Sequence, residues 1–598
     1  MARLTVAPAI VVLGAGALPV AERIRARYQG ATIHALAGRA EGDVAFSELG
    51  AHLRALYARG NPVVALCAAG IVIRCVAPCL ADKGVEPPVL AVAEDGSAVV
   101  PLLGGLTGVN LLAREIAETL GIAPAITTSG ELRFGACVLN PPEGYALADI
   151  GAGKRFVSDL LAGASTRVDG AAPWLEGVAL PVDAAGSHAI RVTPRRAGGA
   201  GSGELLIHPR SVVVALAEGF AHRAASLATP AQAADHEAGG DPLARRILDA
   251  LAAADLSPLA LAALVAPRQC MREAALARAA RELGVPLRFV ASEADPAGDA
   301  AALLDAALAA GSIDASPAIT LDDHGKPSKS LAIAIAEAPV DANRLGQARG
   351  SLTVLGLGPG RADLLAPAAR LALAEATDIL GYATYVRMAG PFRADQRVHE
   401  TDNREELQRA RHAFELAAQG RRVAMVSSGD PGVFAMAAAV LEALDGAGEP
   451  AWDEVTLEVV PGVSAAFATA AEAGAPLGHD FCVISLSDNL KPWGVIEERL
   501  ALAARADLVM AFYNPISKAR PWQLDRALEI LREIRAADTV VVLGRDVGRP
   551  GASLRSLTLG ELRTADVDMR TMVIVGSSKT RRFASAEREW IYTPRFYD

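Results

Sequence analysis

At 598 residues the chain is too long for one hydrophobic core and should divide into roughly three to five domains. Hydrophobic residues make up 52% and charged residues 21%, the composition of a packed protein and not of a disordered one. A net charge of −10 with no basic cluster gives no nucleic-acid footprint and no surface for anionic membranes.

In chain order, Ile10-Val11-Val12-Leu13 runs into Gly14-Ala15-Gly16 and an amphipathic stretch over 21–28. That is a strand, turn and helix of a folded domain, too short in its apolar part for a secretory signal. The glycine turn has no acidic partner after it, so it predicts no dinucleotide site. No apolar run is long enough to cross a bilayer, and the expected location is cytoplasmic. Pro62-Val63-Val64-Ala65-Leu66-Cys67 reads as a buried strand ending in small residues. It is followed by Val89-Leu90-Ala91-Val92 and Val99-Val100-Pro101-Leu102-Leu103. Six cysteines (67, 75, 79, 137, 270 and 482) form no C-x-x-C pair. They read as core residues or free thiols, and no metal site is expected.

Glycine and proline become frequent over about 130–205, as in an irregular or β-containing insert. Ser211-Val212-Val213-Val214 opens another α/β unit, within which 221–310 is alanine-rich and predicts helices. Residues 338–350 lack periodicity and read as a linker. The expected class is therefore α/β and multidomain, with parallel sheets. The expected boundaries are 1–128, 129–206, 207–337, the linker 338–350, and 351–598.

The pattern restarts at Ser351 with Val354-Leu355-Gly356-Leu357-Gly358-Pro359-Gly360. A second apolar run ends in Val426-Ser427-Ser428-Gly429-Asp430-Pro431-Gly432-Val433-Phe434. Each is a strand followed by a glycine turn, the arrangement that lets backbone approach a small molecule at the carboxyl edge of a parallel sheet. Neither has the Lys-Ser/Thr of a P-loop, and Gly-Leu-Gly-Pro-Gly lacks the spaced third glycine of a dinucleotide turn. Asp430 reads as a ligand contact or as the cap of the next helix. Further segments follow in order: Val459-Val460-Pro461-Gly462-Val463-Ser464-Ala465, then His479 through Ser487-Asp488 with Lys491-Pro492-Trp493, then Phe512-Tyr513-Asn514-Pro515, then Gly544-Arg545-Asp546.

Together these segments resemble the tetrapyrrole methylase family, which uses S-adenosylmethionine, and within it the branch acting on precorrin-3B in cobalamin biosynthesis. The resemblance covers nearly all of 351–598. It implies two α/β lobes, about 351–462 and 463–598, with the cofactor between them, usually in a homodimer. The implied cofactor contacts are Pro359 and Gly360; Gly429, Asp430, Pro431, Val433 and Phe434; Ser464 and Ala465; and Tyr513 with Asn514. The implied reaction is methyl transfer to carbon 17 of a precorrin or cobalt-precorrin with contraction of the ring. Contraction needs acid–base help, for which Asp488, His479 and Lys491 are the candidates. Arg361 replaces an aspartate that relatives carry after the first turn. Arg361, Asp363 and Arg545, with Arg520, are candidates for meeting the substrate and its carboxylates.

Residues 45–220 resemble the cobalt-precorrin-5A hydrolase family, through Ala65-Leu66-Cys67-Ala68-Ala69-Gly70, Gly104-Gly105-Leu106-Thr107-Gly108-Val109-Asn110 and Thr127-Thr128-Ser129-Gly130-Glu131. Leu106-Thr107 stands where that family carries histidine, and Ala215-Leu216-Ala217-Glu218-Gly219 where it tends to glycine and cysteine. Without those reactive side chains the N-terminal half is left as a hydrolase or as a corrinoid-binding unit. A methylase of this fold acting on another substrate, and a non-catalytic corrinoid scaffold, are the alternatives for the whole chain.

Overall fold

The computed structural model describes residues 7–28, 30–80, 86–196, 203–218, 220, 241–291, 299–321, 329–390, 392, 395–402, 406–585 and 588–596. The chain divides into two compact units between Arg349 and Gly350. Each is α/β.

The N-terminal unit carries three sheets. In the first, Val44–Phe46, Thr32–Leu36, Ala9–Val12, Val63–Leu66 and Val89–Val92 lie side by side and parallel, and Val99–Leu103 closes the edge antiparallel. The central strands are buried at every position, which is why they read as unbroken apolar runs. The stretch read as an irregular or β-containing insert holds a four-stranded sheet. In it, Thr166–Asp169, His188–Val192 and Glu204–Pro209 are parallel, and Tyr145–Leu147 is antiparallel to the last. Helices Ser129–Phe134 and Ile150–Leu161 bury Phe134, Phe156 and Leu160 against it. Glu204–Pro209 runs across the expected boundary at 206/207. The third sheet begins at Val212.

The helical expectation for 221–310 lies outside the described residues over 221–240 and 292–298. Elsewhere it holds at the helices Pro242–Ala253, Ala274–Leu283 and Ala300–Ala310 and is corrected between them. Leu261–Pro267 is a strand, buried throughout and central in the third sheet, between the helices Pro242–Ala253 and Ala274–Leu283. Burial on both faces overrides the helical preference of its alanines. The expected linker is ordered over 342–347. It forms a one-turn helix Ala342–Arg344, and Gln347 exchanges two backbone hydrogen bonds with Phe289, at 2.7 and 2.9 Å.

The C-terminal unit has two principal sheets. The first is wholly parallel, in the order Arg397–Thr401, Asp378–Tyr382, Arg422–Ser427, Ser351–Gly356, Thr456–Val460. The second departs from the parallel expectation. Phe481–Ser485 and Val509–Tyr513 are parallel, but Thr571–Val575, Val540–Arg545 and Ser553–Thr558 join antiparallel. A small sheet of Gly474–Ala475, Arg588–Tyr592 and Arg581–Ser585 completes the unit. Helix Ala465–Ala473 packs Ala466, Ala470 and Ala473 on the second sheet, so the chain passes from the first sheet to the second just after Gly462.

Candidate active site

Three adjacent strands of the parallel sheet carry a glycine at or just beyond their carboxyl ends (Gly356, Gly429 and Gly462), and these ends converge. A β-carbon on Gly356 would lie 2.3 Å from the Gly429 carbonyl oxygen, and one on Gly462 would lie 2.2 Å from that same oxygen. No side chain fits there, so three backbones pack at a spacing only glycine allows. Beyond this point the two glycine turns bond to each other. The Gly358 amide donates to the Gly429 carbonyl at 3.1 Å, and the Gly429 amide donates to the Gly358 carbonyl at 2.8 Å. Both residues have positive φ, +68° and +69°.

Asp430 joins the second turn to the third strand end. One oxygen accepts from the Gly432 amide at 2.8 Å and the other from the Gly462 amide at 3.0 Å. Of its two expected roles, helix capping is corrected. The next helix, Met436–Asp445, starts from Ala435 with no side-chain cap. Ser464 does cap, its Oγ accepting from the Phe467 amide at 3.5 Å at the start of helix Ala465–Ala473.

The second sheet presents its carboxyl edge through Tyr513-Asn514 and Ser485 to Asp488. Tyr513 Oη accepts from the Ala466 amide at 3.3 Å, and its ring lies 5.3 Å from that of Phe434. Phe434 has φ +51° and is 49% exposed, so strained backbone holds an aromatic ring outward beside Tyr513. Lys491 Nζ stands 5.8 Å over the Phe434 ring. Burial, then the charge of Arg499, push the Lys491 ammonium below its ordinary pKa. Asn514, also at positive φ, donates to Ser485 Oγ at 3.1 Å, and its carbonyl accepts from Arg520 at 3.0 Å. Asp488 accepts at 3.1 Å from Gln523, a buried residue whose own Oε1 has no partner.

The expected residues therefore divide. Phe434, Tyr513 and Lys491 come together, and Asp488 follows the strand paired with that of Tyr513. His479 does not join them. It precedes Phe481–Ser485 at the amino end of that strand, with its Nδ1 accepting from the Asp480 amide at 2.7 Å. The expectation that it works beside Asp488 and Lys491 is corrected, because the strand Phe481–Ser485 lies between it and Asp488. Arg361 and Asp363 pair bidentately at 3.0 and 2.5 Å on the surface, the arginine holding the Asp363 carboxyl below its usual range. Arg545 is engaged by Asp568 at 2.9 Å and Asp546 at 3.2 Å, and Arg520 is buried against the 514 turn. Neither arginine is an open cation.

The residue that sequence reasoning missed is Arg549. From the turn after Val540–Arg545 its Nε donates to the Pro359 carbonyl and its Nη2 to Ser428 Oγ, each at 3.0 Å. One guanidinium from the second lobe thus holds both glycine turns of the first. Gly548, at φ +84°, lies flush against Pro359: a β-carbon there would sit 2.8 Å from the proline ring.

This geometry, two facing sheet edges closed by glycine turns over exposed aromatic rings, is that of a two-lobed small-molecule transferase. Residues 351–563 match the family described as tetrapyrrole (corrin/porphyrin) methylases, and 51–131 match the family described as cobalamin synthesis G N-terminal. A precorrin-3B C(17)-methyltransferase from Sinorhizobium sp is 52% identical over 249 residues, which are 42% of this chain and 97% of that protein. The cobalamin biosynthesis protein CobIJ of Mycobacterium bovis is 46% identical over 285 residues, 47% of this chain; the chain spans about half of that relative, 54%. A probable cobalt-factor III C(17)-methyltransferase of Salmonella typhimurium is 41% identical over 229 residues, 38% of this chain and 93% of that protein. The solved structure of the methyltransferase CobJ is 52% identical and covers 41% of this chain and 100% of its own, with a TM-score of 0.39. The chain belongs to the tetrapyrrole methylase family, and it is a methyltransferase. That family uses S-adenosylmethionine.

Proposed function

We propose that the C-terminal unit methylates precorrin-3B at carbon 17, with ring contraction, in cobalamin biosynthesis, and that S-adenosylmethionine is its methyl donor. The observation that carries this reading is the pair of glycine turns bonded to each other and facing the Phe434–Tyr513 rings, in a unit 52% identical to an enzyme of that name. The site fits the donor. Its walls near 358–360 and 429–431 combine the glycines 358, 360 and 429 with prolines 359 and 431, a surface able to lie close to a flat ligand, and exposed Phe434 offers an apolar face to an adenine. Pro359, Gly360, Gly429 and Pro431 would form one wall. Asp430 and Val433 would hold the second turn in shape, and Ser464, Ala465, Tyr513 and Asn514 would form the opposite side. When bound, the donor supplies an electrophilic methyl group, and the chain's work is to place a nucleophilic ring carbon in line with it.

Contraction moves protons at oxygen substituents. Asp488 suits this role, since Gln523 orients one carboxylate oxygen and the other has no side-chain partner among the described residues. Lys491, placed over the Phe434 ring with its pKa lowered by burial, is the second candidate for proton transfer at that edge.

A homodimer is part of the proposal. Phe481–Ser485 is an edge strand exposing Phe481 and Val483, and Phe481 lies edge-on to exposed Phe467. Among the described residues no helix is long and apolar enough to cross a membrane, which accords with the proposed cytoplasmic location. The test is to incubate the chain with precorrin-3B and methyl-labelled S-adenosylmethionine, with a cobalt-containing substrate in parallel. Label in a corrinoid with a changed visible spectrum is the expected result. Absence of label with both substrates would sink the proposal.

A further inference from the structure

The N-terminal unit contains a cavity of ≈ 280 Å³ at the margin of the core of its four-stranded sheet. It is walled by the start of helix Val109–Leu120, the end of helix Ser129–Phe134 with the segment after it, and the turn around Trp174. That volume lies near the lower bound of ligand pockets, roughly 300–1,000 Å³. It is too small to enclose a tetrapyrrole ring and large enough for a short acid or a single side arm.

The polar side chains lining it include the donors Arg114 and Asn140 and the carboxylates Glu131 and Glu176. Gly108, at φ +102°, begins the helix with no side-chain cap; the Val109 amide donates to the Gly104 carbonyl at 3.1 Å, and the helix start leaves its next amides without a side-chain acceptor. Arg114 lies two turns along on the same wall. Its Nη1 donates to Glu131 Oε2 at 2.5 Å, while its side chain stays 33% exposed. Glu131 cannot compete for a ligand. Its side chain is buried, and its second oxygen accepts from Asn110 at 2.7 Å. Asn110 also donates to Thr128 Oγ1 at 3.0 Å, which fixes the whole assembly. Asn140 lines the cavity beside Gly108, and its amide has no hydrogen-bond partner among the described residues. Burial, then Glu131, push the Cys137 thiol up, and its Sγ faces the Gly105 carbonyl at 3.9 Å. Across from these donors lie Phe134, Trp174, Leu175 and Val178, and the one further carboxylate, Glu176, is exposed at the rim.

We propose that this cavity binds, without hydrolysing it, a carboxylate carried on a short apolar stem, with the carboxylate at Arg114, Asn140 and the helix start and the stem against Trp174. Hydrolysis would need a free base or nucleophile. Glu131 is doubly engaged, Cys137 Sγ is directed at the Gly105 carbonyl at 3.9 Å, and Thr107 donates to the Glu86 carbonyl at 2.6 Å. The same chemistry could come from a free acid or from a carboxylate arm of a corrin, and the proposal stands whether or not the C-terminal unit acts on precorrin-3B.

The full chain is titrated calorimetrically with 3-phenylpropionate and its methyl ester, and with cobyrinic acid and its fully esterified form. Acids binding about tenfold or more tighter than their esters support the proposal. Tight binding of phenylpropionate alone identifies a free acid, and tight binding of cobyrinic acid identifies a corrin arm. Arg114→Gln should abolish the preference, but it strands Glu131 in the interior and could unfold the unit. Asn140→Leu removes an unpartnered amide and leaves the ion pair alone. It should weaken acid binding about tenfold with unchanged melting temperature. Equal binding of acid and ester, no binding of either acid, or an unaffected Asn140→Leu protein would overturn the proposal, as would ester or lactone hydrolysis lost on that substitution.

Discussion

Arg549 is the strongest test of how the two lobes share the cofactor site. It makes two hydrogen bonds of 3.0 Å from one charged group to neutral acceptors, Pro359 O and Ser428 Oγ, on the two turns that would wall the donor. Bonds with a charged partner are worth about 1.5–3 kcal/mol each, and Arg549 is only half-buried, so the lower figure applies. Losing both by Arg549→Ala removes about 3 kcal/mol of restraint on the turns. If half of that appears as ligand affinity, the Kd for S-adenosylmethionine rises about tenfold, and if nearly all does, about a hundredfold. Arg549→Lys keeps the charge but has one point donor for two acceptors, and should fall between wild type and alanine. Calorimetric titration with S-adenosylhomocysteine measures the affinity, and a thermal melt separates it from loss of fold. A Kd for Arg549→Ala within about threefold of wild type, with an unchanged melt, would show that the clamp does not shape the site.

Gly462→Ala forces a β-carbon to 2.2 Å from a backbone oxygen and should cost about 2–3 kcal/mol in urea unfolding. Gly494→Ala, inside helix Trp493–Arg505 with nothing within 4 Å, should be neutral or slightly stabilising, and equal losses for the two would discount the steric reading. Lys491 has its pKa lowered from 10.5 on folding, so the unfolded chain holds its proton more tightly. Stability should therefore rise with pH just below that value, and Lys491→Met should flatten the rise; identical profiles for the two proteins would contradict the burial argument. Phe481→Glu with Val483→Glu should convert a dimer to a monomer by light scattering, and a monomeric wild type would end the dimer proposal.

The central parallel strands were readable because burial on both faces leaves an unbroken apolar run, as at Val63–Leu66 and over Val423 to Val426. The same logic failed at Leu261–Pro267, where alanine suggested helix and position in the sheet decided otherwise. The glycine turns announced a site, but nothing local announced that Gly358 and Gly429 bond to each other. His479 and Asp488 bracket one strand and so appear close in sequence, yet a strand separates its ends, and only Asp488 stands at the carboxyl edge. Arg549 was hidden because its partners lie 190 and 121 residues away. Its one local trace is Gly548, whose positive φ lets Pro359 approach. Asn110 and Glu131 were each visible as polar residues in turns, but their convergence on Arg114 belongs to the tertiary fold.

The reciprocal bonds between Gly358 and Gly429 bear on where ordering entropy is lost. Two loops already tied to each other have given up their conformational freedom during folding, so a ligand meets a finished wall. The Gly358 and Gly429 amides should resist hydrogen exchange even without ligand. Motion quenched by binding should then be confined to the groups still exposed at the cleft, the Phe434 ring and the Lys491 stem above it.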